Sequence, residues 1–127
     1  MKPTEIINAE FQKLGKDSGE FLKKLSAALR KKLAIIMQEE NTILILIALG
    51  DGNVELHLFT ADSPIKVAKA LSRFIDKIRK SDLKAVYGPK ENVPNSNKLK
   101  QTLTMLKTLG VDVLPSDNPK YEWMAKV

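Results

Sequence analysis

The chain has 127 residues, a net charge of +6 and no cysteine. This length suits one domain, and a chain without cysteine has neither disulfides nor thiolate metal sites. Hydrophobic residues make up 43% of the chain, which is too many for a disordered protein. With one histidine, His57, and no carboxylate spacing typical of ligands, no metal site is indicated. We therefore expect one α/β domain, residues 1–127, that folds on a hydrophobic core without metal.

The charge and the apolar runs also bear on partners. A sequence pI of about 9.5 favours anionic partners such as nucleic acid, although charge of this size is also typical of a small domain kept in solution. Residues 1–5 are polar and lack the apolar core of a signal peptide. The longest apolar run, residues 43–49, is too short to cross a bilayer. We expect a cytoplasmic protein with no membrane partner, or one carried in a particle made in the cytosol.

The N-terminal part, residues 1–32, is predicted to be helical. Thr4 is expected to cap a helix over residues 5–14, and Ser18 a second helix to about residue 31. The second helix is rich in lysine and arginine, which indicates a solvated face more simply than a binding surface. The remainder, residues 33–127, is predicted to form a core of sheet and helices.

Three strands open that core. Residues 33–37 could extend the preceding helix, but the paired isoleucines favour a strand. Residues 42–49 form a continuous apolar strand, and residues 54–61 return after a Gly-rich turn, so an antiparallel meander is expected. In the third strand, alternation predicts two faces. One carries Val54, Leu56 and Leu58, and the other Glu55, His57 and Phe59.

The second half alternates helices and strands. The segment Asp62-Ser63-Pro64 predicts a capped helix start, and that helix runs to about residue 80. Its expected apolar face consists of Ile65, Ala68, Leu71, Phe74, Ile75 and Ile78. A strand over residues 83–87 is followed by a helix that Asn95 or Ser96 caps and that ends at Gly110, with a core face of Leu99, Leu103, Leu106 and Leu109. Strands over residues 111–114 and 121–127 complete the order α-α-β-β-β-α-β-α-β-β, which implies a mixed sheet flanked by helices.

This order resembles the GNAT acyltransferases, a superfamily that uses acetyl-CoA. The similarity covers residues 33–127. Strand 54–61, which leads into the helix at Ser63, is similar to the family's acetyl-CoA strand and pyrophosphate helix. The segment 95–111 is similar to its late segment, where an asparagine precedes a helix ending in Leu109-Gly110-Val111. Short phage members of the family, some carried in virions, are similar to the chain in size. The resemblance implies a mixed, mostly antiparallel central sheet.

The resemblance implies a cofactor site for acetyl-CoA. In the family, backbone N–H groups at the start of this helix hold the pyrophosphate, as helix N-termini hold anions generally. Lys66 stands where the family's first loop glycine is expected, Ala68 fits the last loop position, and Pro64 removes one donor. Lys66 could offer its charge to phosphate instead, although a solvated lysine is the simpler interpretation. The implied cofactor residues are Phe59, Thr60, Ala61, Ser63, Lys66, Val67, Ala68 and Asn95.

The resemblance also implies where catalytic residues would lie. The family often places a glutamate base on the strand before the pyrophosphate helix, so Glu55 and His57 are the candidate catalytic residues. An imidazole near its reference pKa suits proton transfer at neutral pH. The family's tyrosine acid corresponds to Leu106, so that group is missing. The simpler interpretations make His57 a hydrogen-bonded strand residue, Glu55 a surface strand residue and Trp123 a half-buried strand aromatic.

Three functions remain open from the sequence. The first is an acetyl-CoA-dependent N-acyltransferase, in which a CoA thioester lies along residues 56–61 and an unknown amine is the acceptor. The second is a GNAT-like fold without catalysis that acts as a phage virion component or a protein-binding module. The third is a basic nucleic-acid-binding domain, which ranks last because the basic residues are spread over several elements and no aromatic-rich strand motif accompanies them.

Overall fold

The computed structural model of the protein describes residues 1–89 and 97–127. The predicted order of elements is confirmed there. In chain order the elements are α1 (Pro3–Lys13), α2 (Gly19–Arg30), β1 (Ala34–Glu39), β2 (Thr42–Gly50), β3 (Asn53–Thr60), α3 (Pro64–Arg79), β4 (Ala85–Pro89), α4 (Asn97–Thr108), β5 (Leu114–Pro115) and β6 (Tyr121–Lys126).

The strands form one mixed sheet in the order β1-β2-β3-β4-β6-β5. All neighbours are antiparallel except β3 and β4, which are parallel. The predicted meander of β1, β2 and β3 is confirmed. Gly50 pairs with Asn53, so the loop between β2 and β3 has two residues, Asp51 and Gly52. Both have positive φ, 56° and 81°, as a type I′ hairpin turn requires.

Each face of the sheet carries its own apolar cluster. The α1/α2 face buries the odd-numbered isoleucines of β2 and Phe59 beneath the first two helices. The α3/α4 face buries Leu44 and Leu46 of β2, together with Val54, Leu56 and Leu58, against Phe74 and its neighbours on α3. Because β2 is covered on both faces, its sequence is apolar without alternation. The two predicted faces of β3 are confirmed.

The N-terminal helices begin by different means from those predicted. α1 starts at Pro3, with Lys2 as the N-cap residue, so Thr4 lies in the first turn and is not the cap. Proline suits this first position because its φ is already helical, and the Glu5 carboxylate accepts a hydrogen bond of 2.9 Å from the Lys2 backbone N–H. Ser18 does hold the N-cap position of α2, but its hydroxyl donates to Asn8 Oδ1.

The start of α3 at Pro64 is confirmed, but its predicted apolar face is partly wrong. Ile65 is 71% exposed, and Ala68 is only partly buried. The helical series that contains Phe74 and Ile78 passes through Val67 and Ala70, which are buried instead. Leu103 of α4 and Leu109, just beyond its end, pack at the edge of the core around buried Leu106. The proposed caps Asn95 and Ser96, and the side chain of Leu99, lie outside the described part.

Strand bounds also differ from the prediction, most of them by one or two residues. β4 begins at Ala85, two residues later than expected, and the Lys84 backbone N–H just before it donates to Gly52 O at 2.7 Å. β5 is reduced to Leu114–Pro115, since Val111 and Val113 pack against the α3/α4 cluster.

Candidate active site

The sheet divides into two arms where β3 and β4 part. These parallel strands pair over three positions, and the last pair is Glu55 with Tyr87. Beyond it, β3 stays paired with β2 as far as Thr60, while β4 stays paired with β6 through Pro89. Beyond this point the two strands are no longer hydrogen-bonded to each other.

Glu55 lies at this point and is 5% exposed, so its interpretation as a surface strand residue is wrong. Its carboxylate is the centre of a polar cluster on the α1/α2 face. Oε2 accepts from Lys24 Nζ at 2.7 Å and contacts His57 Nε2 at 2.5 Å. Oε1 accepts from the Tyr121 hydroxyl at 2.9 Å. The buried carboxylate is thus held by three donors from α2, β3 and β6, as a buried charge must be.

These contacts decide the protonation state of Glu55. Burial alone would raise the pKa of this carboxyl group, but the hydrogen bonds from His57 and Lys24, the charge of His57 and the hydrogen bond from Tyr121 together lower it to about 2. Glu55 is therefore ionised at neutral pH. A carboxylate with so low a pKa is a weak proton acceptor there, and its geometry suits orienting an imidazole, as the acidic member of a catalytic triad does.

His57 is fixed by the carboxylate on one side and by aromatic rings around it. Its side chain is 14% exposed. The Phe21 ring meets the imidazole edge-on with centroids 4.9 Å apart, and the Phe59 ring lies nearly parallel to it at 6.4 Å. Because Nε2 faces Glu55, Nδ1 is the nitrogen left for a substrate proton, and no partner for Nδ1 occurs among the described residues. The prediction of a hydrogen-bonded strand histidine is confirmed.

Sequence reasoning missed Lys24 and Tyr121 as members of this cluster. Lys24 was one of several lysines on a basic helix face, and its side chain is still 54% exposed. Tyr121 lies 66 residues from Glu55 in sequence, and the two meet only because β6 follows β4 in the sheet. Burial, then the hydrogen bond to Glu55 and its charge, raise the pKa of Tyr121 to about 12. Tyr121 is thus a protonated donor at neutral pH.

The predicted cofactor residues at the end of β3 already make hydrogen bonds or packing contacts within the protein. The Thr60 backbone N–H donates to Glu10 Oε1 at 2.7 Å, and that of Ala61 to Asn41 O at 2.9 Å. The Phe59 ring is buried in the α1/α2 cluster. Asp62 accepts from the Asn41 backbone N–H and the Thr42 hydroxyl through Oδ2, so it fastens the end of β3 to the β1–β2 turn. It does not cap α3, whose N-cap residue is Ser63 as predicted.

The first turn of α3 keeps the groups that could hold an anion. Ser63 occupies the N-cap position but its hydroxyl makes no capping bond. Pro64 has no N–H, and the Val67 N–H donates to Ser63 O at 3.0 Å, so the backbone donors left by the helix are those of Ile65 and Lys66. Lys66 lies 3.4 Å from Glu40, and both side chains are exposed. These two N–H groups and the Lys66 ammonium are donors that suit a phosphate group, although less closely than a glycine loop does.

The remaining predicted positions lie elsewhere. The Val67 side chain is buried in the α3/α4 cluster, Ala68 is partly buried on the same helix, and Asn95 lies outside the described residues. Leu106, at the family's tyrosine position, is 4% exposed within the core. Trp123 is also buried and not half-buried as predicted. Its indole covers Gly88, where a Cβ atom would lie 2.0 Å from two indole atoms. β6 can cross β4 this closely only because residue 88 is glycine.

A sheet split between β3 and β4, with helices on both faces, defines the GNAT class of fold. No protein-family model matches the chain, and no curated protein matches it by sequence. Solved acetyltransferases match it by structure. Aminoglycoside 6'-acetyltransferase type Ii superposes with a TM-score of 0.60 over 97% of this chain and 85% of its own, at 14% identity.

Two further structures agree with this assignment of the fold. Ribosomal-protein-alanine N-acetyltransferase from Brucella melitensis gives a TM-score of 0.53 over 87% of this chain and 78% of its own, at 10% identity. The protein yncA from Salmonella typhimurium, solved with its cofactor acetyl-CoA, gives 0.50 over 87% and 72%, at 17% identity. The predicted GNAT resemblance and the mixed, mostly antiparallel sheet are thereby confirmed at the level of the fold.

Two further features are absent from residues 1–89 and 97–127. None of these helices has the length and hydrophobicity that spanning a bilayer requires. The same residues contain no group of three or more histidine, aspartate and glutamate side chains arranged to hold a metal ion.

Proposed function

We propose that the chain is an acetyl-CoA-dependent N-acyltransferase in which His57 is the general base and Glu55 orients it. The observation that carries this proposal is the buried Glu55–His57 pair at the last residue before β3 and β4 part. The GNAT fold of the chain supports a CoA thioester as the acyl donor. Such a pair, held in one orientation at the place where the two strands part, is suited to proton transfer.

The residues of the chain have separate tasks in this proposal. Ile65 and Lys66 would hold the cofactor's phosphates through their backbone N–H groups, with the Lys66 side chain as a movable charge. Acetyl-CoA would supply an acetyl group activated as a thioester. His57 would take a proton from the acceptor amine at Nδ1, while Glu55 keeps the ring oriented and stabilises the imidazolium. Tyr121 would hold Glu55 in place as a proton donor that stays protonated.

A GNAT fold without catalysis is the second candidate, and one observation favours it. Leu106 replaces the tyrosine acid and is packed into the core, so α4 offers no proton donor at that position. Under this alternative the chain binds another protein, and its place in a phage particle stays a prediction. The Glu55 cluster would then be a structural ion pair, which is why activity and binding must be measured separately.

Calorimetric titration with acetyl-CoA and CoA, followed by acetyl transfer to a panel of amines, tests the proposal. We expect micromolar binding that Lys66→Glu weakens. We also expect His57→Ala to lower kcat/KM about a hundredfold or more without changing the Kd for acetyl-CoA, because general-base catalysis contributes that much. Lys69→Glu, a charge reversal on an exposed lysine of the same helix, is the control for Lys66→Glu. If no heat of binding is measured at millimolar cofactor, the proposal is contradicted. The protein-binding module then remains as the candidate function.

A further inference from the structure

β1 is an edge strand, and one side of its backbone has no partner strand within residues 1–89 and 97–127. It pairs only with β2. The Ala48 backbone N–H donates to Leu33 O at 2.7 Å, so residue 33 is hydrogen-bonded toward β2. Because this direction alternates along an antiparallel strand, the N–H and C=O groups of Ala34, Ile36 and Gln38 point away from β2. The outer side of β1 can therefore pair with a further strand.

This edge lacks the features that usually keep the edge of a sheet from pairing. Natural edge strands are commonly short, or carry a charge, a proline or a bulge. The other edge of this sheet fits the rule, since β5 has two residues and ends in Pro115. By contrast, residues 34–38 contain no charge and no proline, and they pair with β2 without a bulge. Within this segment Ile35 is 61% exposed. One edge of the sheet is thus protected, and the other is open.

The charges at the ends of β1 indicate which strand it fits. Two lysines, residues 31–32, directly precede the apolar segment, and two glutamates, residues 39–40, end it. When this stretch lies antiparallel beside a second copy of itself, the basic end of each copy meets the acidic end of the other. Within the chain the glutamates contact Arg73 and Lys66, but both of these side chains are more than half exposed, so solvent screens these ion pairs.

From these observations we propose that β1 pairs antiparallel with β1 of a second copy of the chain, and that the two sheets become continuous in a two-fold symmetric dimer. The pairing uses the open edge of both copies. The edges that remain are the two short β5 strands, which end in proline, so the assembly stops at two copies. The inference is independent of the proposed function, because Glu55 lies on β3, two strands away from this edge.

The outward-pointing backbone groups fix the register of this pairing. They place Ile36 opposite Ile36 of the second copy, at the two-fold axis, and Ala34 opposite Gln38. Each such pair exchanges two hydrogen bonds, so the three pairs supply about six. Between them, the exposed Ile35 lies opposite Met37 of the second copy and is covered by it. A slip by two residues would preserve the bonding pattern, but it would lose one of these pairs and move the lysines away from the glutamates.

Sedimentation equilibrium of the full chain tests the dimer. We expect the wild type to associate at about 10–100 μM protein, as a small interface allows. Ile35→Lys should lower the affinity about a hundredfold or more, because a charge on an edge strand opposes pairing. The control is Leu114→Lys, which places the same charge at an exposed apolar residue of the opposite edge and should dimerise like the wild type. A wild type that is monomeric at millimolar concentration, or a dimer that Ile35→Lys leaves intact, would overturn the proposal.

Charge reversal tests why the partner is a second copy. In the proposed register Lys32 faces Glu40 of the second copy. Lys32→Glu and Glu40→Lys should each weaken self-association on the order of tenfold, because two attractive pairs become repulsive in each dimer. An equal mixture of the two variants should associate about as well as the wild type. The two substitutions change the net charge in opposite directions, so net charge alone would not weaken both. If neither reversal weakens association, or if mixing does not restore it, the proposal is overturned.

Introduced cysteines test the register directly, since the chain has none of its own. Ile35 and Met37 of the second copy form a non-hydrogen-bonded pair with Cα atoms about 4.5 Å apart, a distance that a disulfide spans. Each lies two residues along the strand from its own counterpart, which is too far. Under mild oxidation, a mixture of Ile35→Cys and Met37→Cys should therefore crosslink much faster than either variant alone.

This crosslinking also decides the proposal if Ile35→Lys fails to fold, which circular dichroism would reveal, because the cysteine variants add no charge. A mixture that does not crosslink would overturn the pairing. Self-crosslinking of either variant as fast as that of the mixture would overturn the proposed register.

Discussion

The two faces of the sheet differ most where β3 and β4 part. On the α1/α2 face, a carboxylate, an imidazole, a phenol and an ammonium meet around Glu55. On the α3/α4 face, the next residue, Leu56, belongs to a wholly apolar cluster with Val86, Leu106 and Trp123. Glu55 and Leu56 follow one another in β3, yet one belongs to a polar cluster and the other to an apolar one. This is because successive side chains of a strand point to opposite faces.

This difference separates reactivity from packing. The polar face is specified by directional hydrogen bonds, so moving one donor changes the charge state of its neighbours. The apolar face is specified by shape, as the indole over Gly88 shows. In the family pattern the acid comes from α4, which packs on the apolar face here through Leu106. The one phenol that reaches Glu55 instead comes from β6, so the proposed chemistry of this chain is confined to a single face.

The largest expected effect is on the apolar face. Trp123→Ala should destabilise the chain by about 3–5 kcal/mol, since it removes a buried aromatic side chain and leaves a cavity. Gly88→Ala alone should cost about 1–3 kcal/mol, because the new methyl group would meet the indole. In the Trp123→Ala background the same change should cost much less. Urea unfolding of the four chains measures this cycle, and Trp123→Phe is the milder control. If the free energies lost in the two single variants simply added in the double variant, the contact between residue 88 and the indole would be contradicted.

The apolar face was also the part most open to prediction from sequence. Alternation in β3, the continuous apolar run of β2 and the Pro64 helix start each depend on local rules, and the structure confirms all three. The error at Ile65 arose because helical spacing alone does not fix which neighbouring series meets the sheet. The polar cluster was only half predictable. Glu55 and His57 share a strand, whereas Lys24 and Tyr121 join them through tertiary packing that no local pattern encodes.

The next effect tests the polar face. Glu55→Gln should destabilise the chain by about 1–3 kcal/mol at neutral pH, because it removes the charge and leaves a donor facing other donors. Tyr121→Phe removes one hydrogen bond and keeps the ion pair, so its cost should be smaller, about 0.5–1.5 kcal/mol. Urea unfolding of wild type and the two variants measures both stability costs. Equal costs for the two variants would mean that the carboxylate's charge contributes little.

The difference in stability between wild type and Glu55→Gln should depend on pH in a defined way. The folded-state pKa of Glu55 is about 2 and the ordinary value is 4.5, so the folded state favours the ionised carboxylate. The stability that this provides is present above the unfolded-state pKa and is lost as the pH falls through the folded-state pKa. The difference between wild type and Glu55→Gln should therefore be constant above about pH 4.5 and shrink toward about pH 2. A difference that does not change across this window would contradict the assigned pKa.

The smallest expected effect concerns Lys24. Because its side chain is half exposed, the ion pair is screened by solvent, and Lys24→Ala should cost at most about 1 kcal/mol. Lys23→Ala, on the same exposed turn, should change stability less, and thermal unfolding of both in low and high salt measures the difference. A loss of several kcal/mol would mean that Lys24 is a structural ion-pair partner, fixed in place. A small loss that salt reduces would show that the ammonium can leave Glu55 at little cost.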